Sequence, residues 1–253
     1  MPEHLSSGTA GSEERKRKAI PLDLACRTSI LVGMLDAKKR SSKGAARDPA
    51  RTRESLLQAA FEEMHKSGFR GSDLETVLRK VGVTKGAMYH HFDNKEALGY
   101  AVVDEVIAPI MREKWQAPLR DAENPIDALI DIVEGTSLEP EHVRCGCPLN
   151  NMAQEMSPLD EGFRKRTAKL FADWHVAVAT ALREGKGRGM VRKDVDPDET
   201  ATFLIAAYEG YISLAKCFQS ASSLKAGGKT LARYLESLRP QSEDRASRRS
   251  RAG

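Results

Sequence analysis

Aromatic side chains make up only 6 % of this 253-residue chain, and cysteine occurs four times, at Cys26, Cys145, Cys147 and Cys217. Four scattered thiols do not make a disulfide framework, so a reducing compartment is expected. No apolar run approaches the roughly 20 residues that a membrane-spanning helix requires. The stretch LDLACRTSILVGML has basic flanks, but Asp23, Arg27 and Asp36 interrupt it and no convincing cleavage site follows. A soluble, cytoplasmic protein with no membrane partner is therefore expected. Also missing are an internal repeat, a strand pattern, a phosphate-binding glycine loop and a nucleophile–base arrangement. Nothing specific supports catalysis, and neither a cofactor nor a metal is expected.

What is abundant is charge, 30 % of residues, with a net of +4. Its distribution is uneven. Residues 1–53 hold twelve Lys or Arg against six Asp or Glu, so the remaining 200 residues are slightly acidic. Basic charge ahead of a DNA-binding unit would release counterions without specifying sequence, although a solvated tail has the same composition. Residues 1–48 are expected to be a disordered basic leader, apart from a short helix near 22–35, and residues 241–253 a disordered tail. A start at Met34 would leave an ordinary short leader, and N-terminal sequencing of the native protein separates the two starts.

The information is concentrated in SDLETVLRKVGVTKGAMYHHFDNKEALGY, residues 72–100. Ser72 with Glu75 reads as a capping box that starts a helix at Asp73 or Leu74. Gly82 can take the left-handed backbone that ends it, and Thr84 can cap a second helix running to about Phe92. Asp93 with Glu96 reads as another capping box, with a third helix from Asn94. Two helices across a tight glycine turn make a helix-turn-helix. Ahead of them, Leu56, Leu57, Ala60, Phe61 and Met64 predict a buttressing helix from Pro49 to the stop at Gly68.

VGVTKGAMYHHFDNKEAL resembles the DNA-binding signature of the TetR family of bacterial regulators, closely over residues 53–104 and beyond them only as a helical pattern. Leu78 and Arg79 stand where the family more often has Ile-Ala, which leaves the apolar face intact. The resemblance implies an all-α homodimer, with an N-terminal three-helix DNA-binding domain at 49–97 and a helical effector-binding and dimerisation domain at 98–240. It also implies a repressor released from a double-stranded operator by a small molecule. Carried over by position, it puts Thr84, Lys85, Gly86, Tyr89 and His90 at the DNA, with Arg53, Ser72, Lys95 and the helix N-terminus after them near phosphate. His91 and Phe92 are expected to pack inward.

Further along, a helix over residues 97–111 should connect the two domains, with Pro109 ending or bending it. Asn124-Pro125 starts a helix to Gly135, and Ser157-Pro158 is expected to start another, followed by a GKGRGM loop. Asp196-Pro197 starts a helix to about Gln219, and SASSLKAGG is read as a loop before a last helix over 229–238. Those last two helices are the expected dimer surface. The effector pocket is expected between the helices of the second domain, with Cys145, Cys147, Asn150, Asn151, Glu155, Phe171, Trp174, His175, Tyr208 and Tyr211 as candidate linings. His142, Cys145 and Cys147 admit three readings: a metal site lacking an obvious fourth ligand, a thiol sensor, or small residues shaping a turn before Pro148.

Overall fold

The computed structural model describes residues 48–240. The expected helix at 22–35, Met34, Cys26 and the tail at 241–253 lie outside the described residues. Every regular element among the described residues is helical. The first three helices are α1 (Pro49–Ser67), α2 (Leu74–Val81) and α3 (Lys85–Tyr89). A continuous helical run over 95–120, α4, follows. The rest are α5 (Pro125–Glu134), α6 (Pro140–Cys145), α7 (Pro148–Met156), α8 (Glu161–Gly187), α9 (Pro197–Phe218) and α10 (Ala221–Ser237).

Helix starts follow local side chains, sometimes one residue away from the expected one. Asp73, not Ser72, caps α2, its carboxylate accepting from the amides of Glu75 and Thr76 at 3.0 Å. Ser72 is buried and its hydroxyl donates to the Phe69 carbonyl at 2.7 Å. A carboxylate holds two amides where a hydroxyl would hold one, and it also complements the helix dipole. Asn94 caps α4 through the Ala97 amide, in place of the Asp93–Glu96 box. Gly82 takes the left-handed backbone (φ 71°, ψ 41°), as its position after Val81 predicts. Ser157 belongs to the end of α7, and Asp160 caps α8 instead, accepting from Phe163.

Pro109 does not end the connector. Directly before it, Val103–Ile107 widens into a π-helical turn in which the Ala108 amide reaches the Val103 carbonyl. Arg112–Gln116 repeats this ahead of Pro118. The extra residue in each turn shifts the hydrogen-bonding register where proline supplies no donor, so the helix continues. The run from Lys95 to Trp115 spans about 30 Å at 1.5 Å per residue.

One buried core links both domains: Leu56, Met88 and Leu98 lie in its N-terminal part, and Ile126, Leu149, Trp174 and Leu182 in its C-terminal part. At the junction, the Phe163 ring lies 4.6 Å from Phe69 and 4.7 Å from Tyr100. The Tyr100 hydroxyl donates to the Asp160 carboxylate at 2.8 Å.

SASSLKAGG is not a loop. It forms the first half of α10, capped by Ser220, whose hydroxyl accepts from the Ser223 amide. Its glycines serve packing: a Cβ at Gly227 would lie 2.4 Å from Tyr211 Cγ. Gly227→Ala gains about 1 kcal/mol of helix propensity but forces a packed aromatic aside, which costs about 1–3 kcal/mol. A net destabilisation is expected in urea denaturation, and a variant more stable than wild type would refute the close α9–α10 approach.

Candidate DNA-reading surface and effector core

Thr84 accepts from the Ala87 amide and thereby starts a recognition helix of only five residues, ending at Tyr89 rather than Phe92. Met88 is fully buried and Phe92 nearly so, which anchors α3 from below. The opposite side is open: Thr84, Lys85, Gly86, Tyr89 and His90 are exposed. The Lys85 ammonium sits 5.9 Å from the Tyr89 ring centroid, and the His90 and His91 rings stack at 5.5 Å. His91 is half-buried. No carboxylate stands among the five exposed residues, so the edge suits a polyanion.

Three expected phosphate ligands have intramolecular partners. Lys95 donates to the Ser72 carbonyl at 2.8 Å and lies over Phe69, which ties the start of α4 to the loop before α2. Arg53 makes two 2.6 Å bonds to Glu105 and lies 5.0 Å from the Phe92 ring centroid. That pair holds Glu105 below the ordinary carboxylate range. Ser72 is buried, as described above. Arg53 thus ties Phe92, just past the reading helix, to the connector, and Lys95 ties the connector to the loop before α2.

In the second domain, Phe171, Trp174 and Tyr208 converge with Trp115 of α4. Trp115 lies 4.4 Å from Trp174 and 5.0 Å from Tyr208, and Phe171 stacks on Trp174 at 6.1 Å. Lys114 donates to the Tyr208 hydroxyl, which shares a 2.9 Å hydrogen bond with Thr136. Glu209 is 7 % exposed, with the Cys147 thiol as the hydrogen-bonding neighbour of its carboxyl, and Trp174 Nε1 is buried without a hydrogen-bond partner. Burial pushes the Glu209 carboxyl up to about 7, against the pull of Cys147 and the Lys114 ammonium. Glu209 also lines a cleft of about 370 Å³ with Asn150, Gln154, Phe171, Ile205 and Gly210.

The other candidates lie elsewhere. Glu155 accepts from the amides of Phe69 and Arg70 at 2.7 and 2.8 Å, clamping α7 to the loop between α1 and α2. His175 bonds the Asp198 carbonyl, and Tyr211 packs on Gly227 between α9 and α10. Asn151 bridges the Cys145 carbonyl and Lys216. Lys114, Trp115, Thr136 and Glu209 were not among the sequence candidates. Glu209 carried a signal, as the lone acid inside ATFLIAAYEGYISLA.

Around His142, Cys145 and Cys147 the geometry favours the turn. Gly146 has φ 73°, and its carbonyl hydrogen-bonds His65 of α1 at 2.8 Å. Burial, followed by Glu141, raises the Cys145 thiol, and burial with the neighbouring Glu209 raises that of Cys147. Neither thiol is primed as a nucleophile. Among the described residues no group of three His, Cys, Asp or Glu is arranged to hold a metal. Iodoacetamide at neutral pH should modify Cys147 more than about tenfold slower in the folded protein than in urea. Peptide mass spectrometry reads this directly, and equal rates would restore the sensor reading.

Comparisons with known proteins agree with this layout. Residues 56–102 match the family described as "Bacterial regulatory proteins, tetR family", and residues 124–231 match "Tetracyclin repressor-like, C-terminal domain". The chain is similar to the HTH-type transcriptional repressor DhaR of Mycobacterium sp. (strain GP1), 28 % identical over 79 % of this chain and 97 % of the relative. It is also similar to the transcriptional regulator AcuR of Cereibacter sphaeroides, 27 % identical over 78 % of this chain and 91 % of that protein. A TetR transcriptional regulator from Chloroflexus aurantiacus superposes with a TM-score of 0.68 at 29 % identity, over 76 % of this chain and 97 % of its own. Among the described residues no helix is long and apolar enough to cross a membrane. With the reading unit and the helical body both matched, the chain belongs to the TetR family of transcriptional regulators.

Proposed function

We propose that the chain works as a homodimeric repressor in the cytoplasm, released from a double-stranded DNA operator by a small molecule, and that it acts by binding rather than catalysis. The observation that carries this reading is the reach of α4. Its first turn is tied through Lys95 to the loop that precedes the reading unit, and Lys114 and Trp115 at its far end belong to the effector core. A shift of one end of a continuous helix displaces the other, and two reading helices must enter successive grooves together. Small displacements therefore cost much affinity. Footprinting the purified protein on DNA flanking its own gene, at about 150 mM salt with competitor DNA, tests this. A protected near-palindrome is expected, and diffuse, salt-sensitive binding at every site tried would remove the specific-regulator reading.

The dimer surface belongs to α9 and α10. Phe203, Gly210, Leu214 and Phe218 fall on one stripe of α9, and Phe203, Leu214 and Phe218 are 50–63 % exposed. The Phe203 ring packs against Tyr234 of α10, tilted by 58° with centroids 4.8 Å apart. Leu214→Asp places a charge in that stripe, and Gly210→Trp fills its open position. Monomers in light scattering are expected for Leu214→Asp and a weakened dimer for Gly210→Trp; unchanged dimers in both would place the interface elsewhere.

A further inference from the structure

Resting on the reading of the second domain as an effector site, we propose that α7 is a lever between the cleft beside Glu209 and the reading unit, with Glu155 as a positioning residue for operator binding. An occupant of the cleft acts on DNA through Glu155 as well as along α4. The juxtaposition is built into one helix of nine residues. Asn150 and Gln154, one turn apart, line the cleft. Asn151 and Glu155 follow them by one residue each, about 100° further round the helix, and face Phe61 and His65 of α1 across a small cavity.

The two sides of α7 are held unequally. Along the cleft, the Asn150 amide reaches the Ser213 hydroxyl of α9 at 3.4 Å and the Gln154 amide reaches Asn150 at 3.4 Å, both long for strong bonds. Towards the reading unit, the Glu155 carboxylate accepts from the Phe69 and Arg70 amides at 2.7 and 2.8 Å, the range of charge-assisted bonds. Gly68 permits that approach, since a Cβ there would lie 2.7 Å from Glu155 Oε2. The far side of the same loop is held by Lys95, which donates to the Ser72 carbonyl. The turn ahead of α7 adds a second grip, His65 of α1 donating from Nε2 to the Gly146 carbonyl at 2.8 Å. Lys216 of α9 donates to Asn151 at 2.9 Å and pins the first turn of α7. A molecule wedged between α7 and α9 therefore swings the end that carries Gln154 and Glu155, and the α1–α2 loop goes with it.

Ser213→Phe fills the cleft from α9 and stands in for an occupant. Amide exchange of the full-length protein, read by mass spectrometry on peptides covering Phe69 and Arg70, is expected to run about tenfold faster in this variant than in wild type. Glu155→Ala should give a similar acceleration, and the double variant no more than either single one. Glu155→Gln keeps one acceptor oxygen and should fall between Glu155→Ala and wild type. On labelled operator, Ser213→Phe and Glu155→Ala are each expected to weaken binding about tenfold, with the double variant close to either one rather than about a hundredfold weaker. A Glu155 that only stabilised the fold would give losses that multiply. Unchanged exchange in Ser213→Phe, multiplying losses in the double variant, or wild-type operator affinity in Glu155→Ala overturns the lever. The exchange experiment needs no operator, which keeps the two claims apart. A failed footprint with coupled exchange sinks only the regulator reading, and an intact footprint with uncoupled exchange sinks only the lever.

Discussion

Lys85→Ala and Tyr89→Ala are each expected to weaken operator binding severely at physiological salt while leaving the fold and the dimer intact. Tyr89 is 44 % exposed and Lys85 is exposed, so neither contributes to the core, and their removal should change stability by no more than about 0.5 kcal/mol. Lost contacts to bases cost about 1–3 kcal/mol each, and a dimer on two half-sites loses each contact twice. That doubling gives about 2–6 kcal/mol per substitution, or roughly 30-fold to more than 10⁴-fold in affinity. Met88→Ala supplies the contrast. Met88 is fully buried beneath the same helix, so this change should cost about 2–5 kcal/mol of stability and reach DNA only through unfolding. Fluorescence anisotropy with labelled operator, read beside a thermal melt, separates the two behaviours. Near wild-type affinity in both surface variants would remove α3 from the groove.

The reading unit was largely legible because its signals are local. The Gly82 turn, the Thr84 cap and the periodic apolar residues each act within one helical turn, so position alone locates them. Errors arose where two neighbours competed for one role, as with Ser72 against Asp73 and Asp93 against Asn94. In each case the choice depends on which side chain the loop geometry aims at the open amides. Larger errors arose where tertiary contacts overrule local preference. Gly227 and Gly228 read as a break, yet α10 continues through them because Tyr211 and the Val133 carbonyl leave no space for a side chain. Pro109 read as a stop or a bend, and the π-helical turn before it lets the chain proceed.

The candidate effector core was only half legible. Phe171, Trp174 and Tyr208 stood out as large side chains on helices, and the fold brings them together. Their polar partners come from three separate elements, α4, the segment after α5, and α9, and no local pattern joins Lys114 to Thr136 or Glu209. Glu155 shows the reverse. It lines a small cavity with Phe61, His65 and Asn151, but its oxygens already accept from the Phe69 and Arg70 amides beside Gly68 at φ 78°.

Glu209→Gln is expected to stabilise the protein above pH 7 and to leave it nearly unchanged near pH 4. In the folded chain, burial raises this carboxyl from 4.5 to about 7, so between those values the native state binds a proton that the unfolded chain has released. The sign follows. Stability from the protonated carboxyl is fully present below about pH 4.5 and is lost as pH rises through about 7. At 1.36 kcal/mol per pH unit, the loss at pH 8 is about 3 kcal/mol. Glutamine keeps the shape and does not ionise, so the variant escapes that loss. The opposing influences are the Cys147 thiol, which hydrogen-bonds the carboxyl, and Lys114, whose ammonium pulls it down and would lose a neighbouring anion in the variant. Burial is the larger cause for Glu209, and Lys114 keeps its bond to Tyr208, so the balance favours the variant. Urea denaturation of both proteins at pH 5 and pH 8 measures the difference. A gap that widens in favour of glutamine with rising pH means a buried carboxyl ionised at a cost. A variant weaker than wild type at pH 8 would mean that Glu209 and Lys114 act there as a stabilising ion pair.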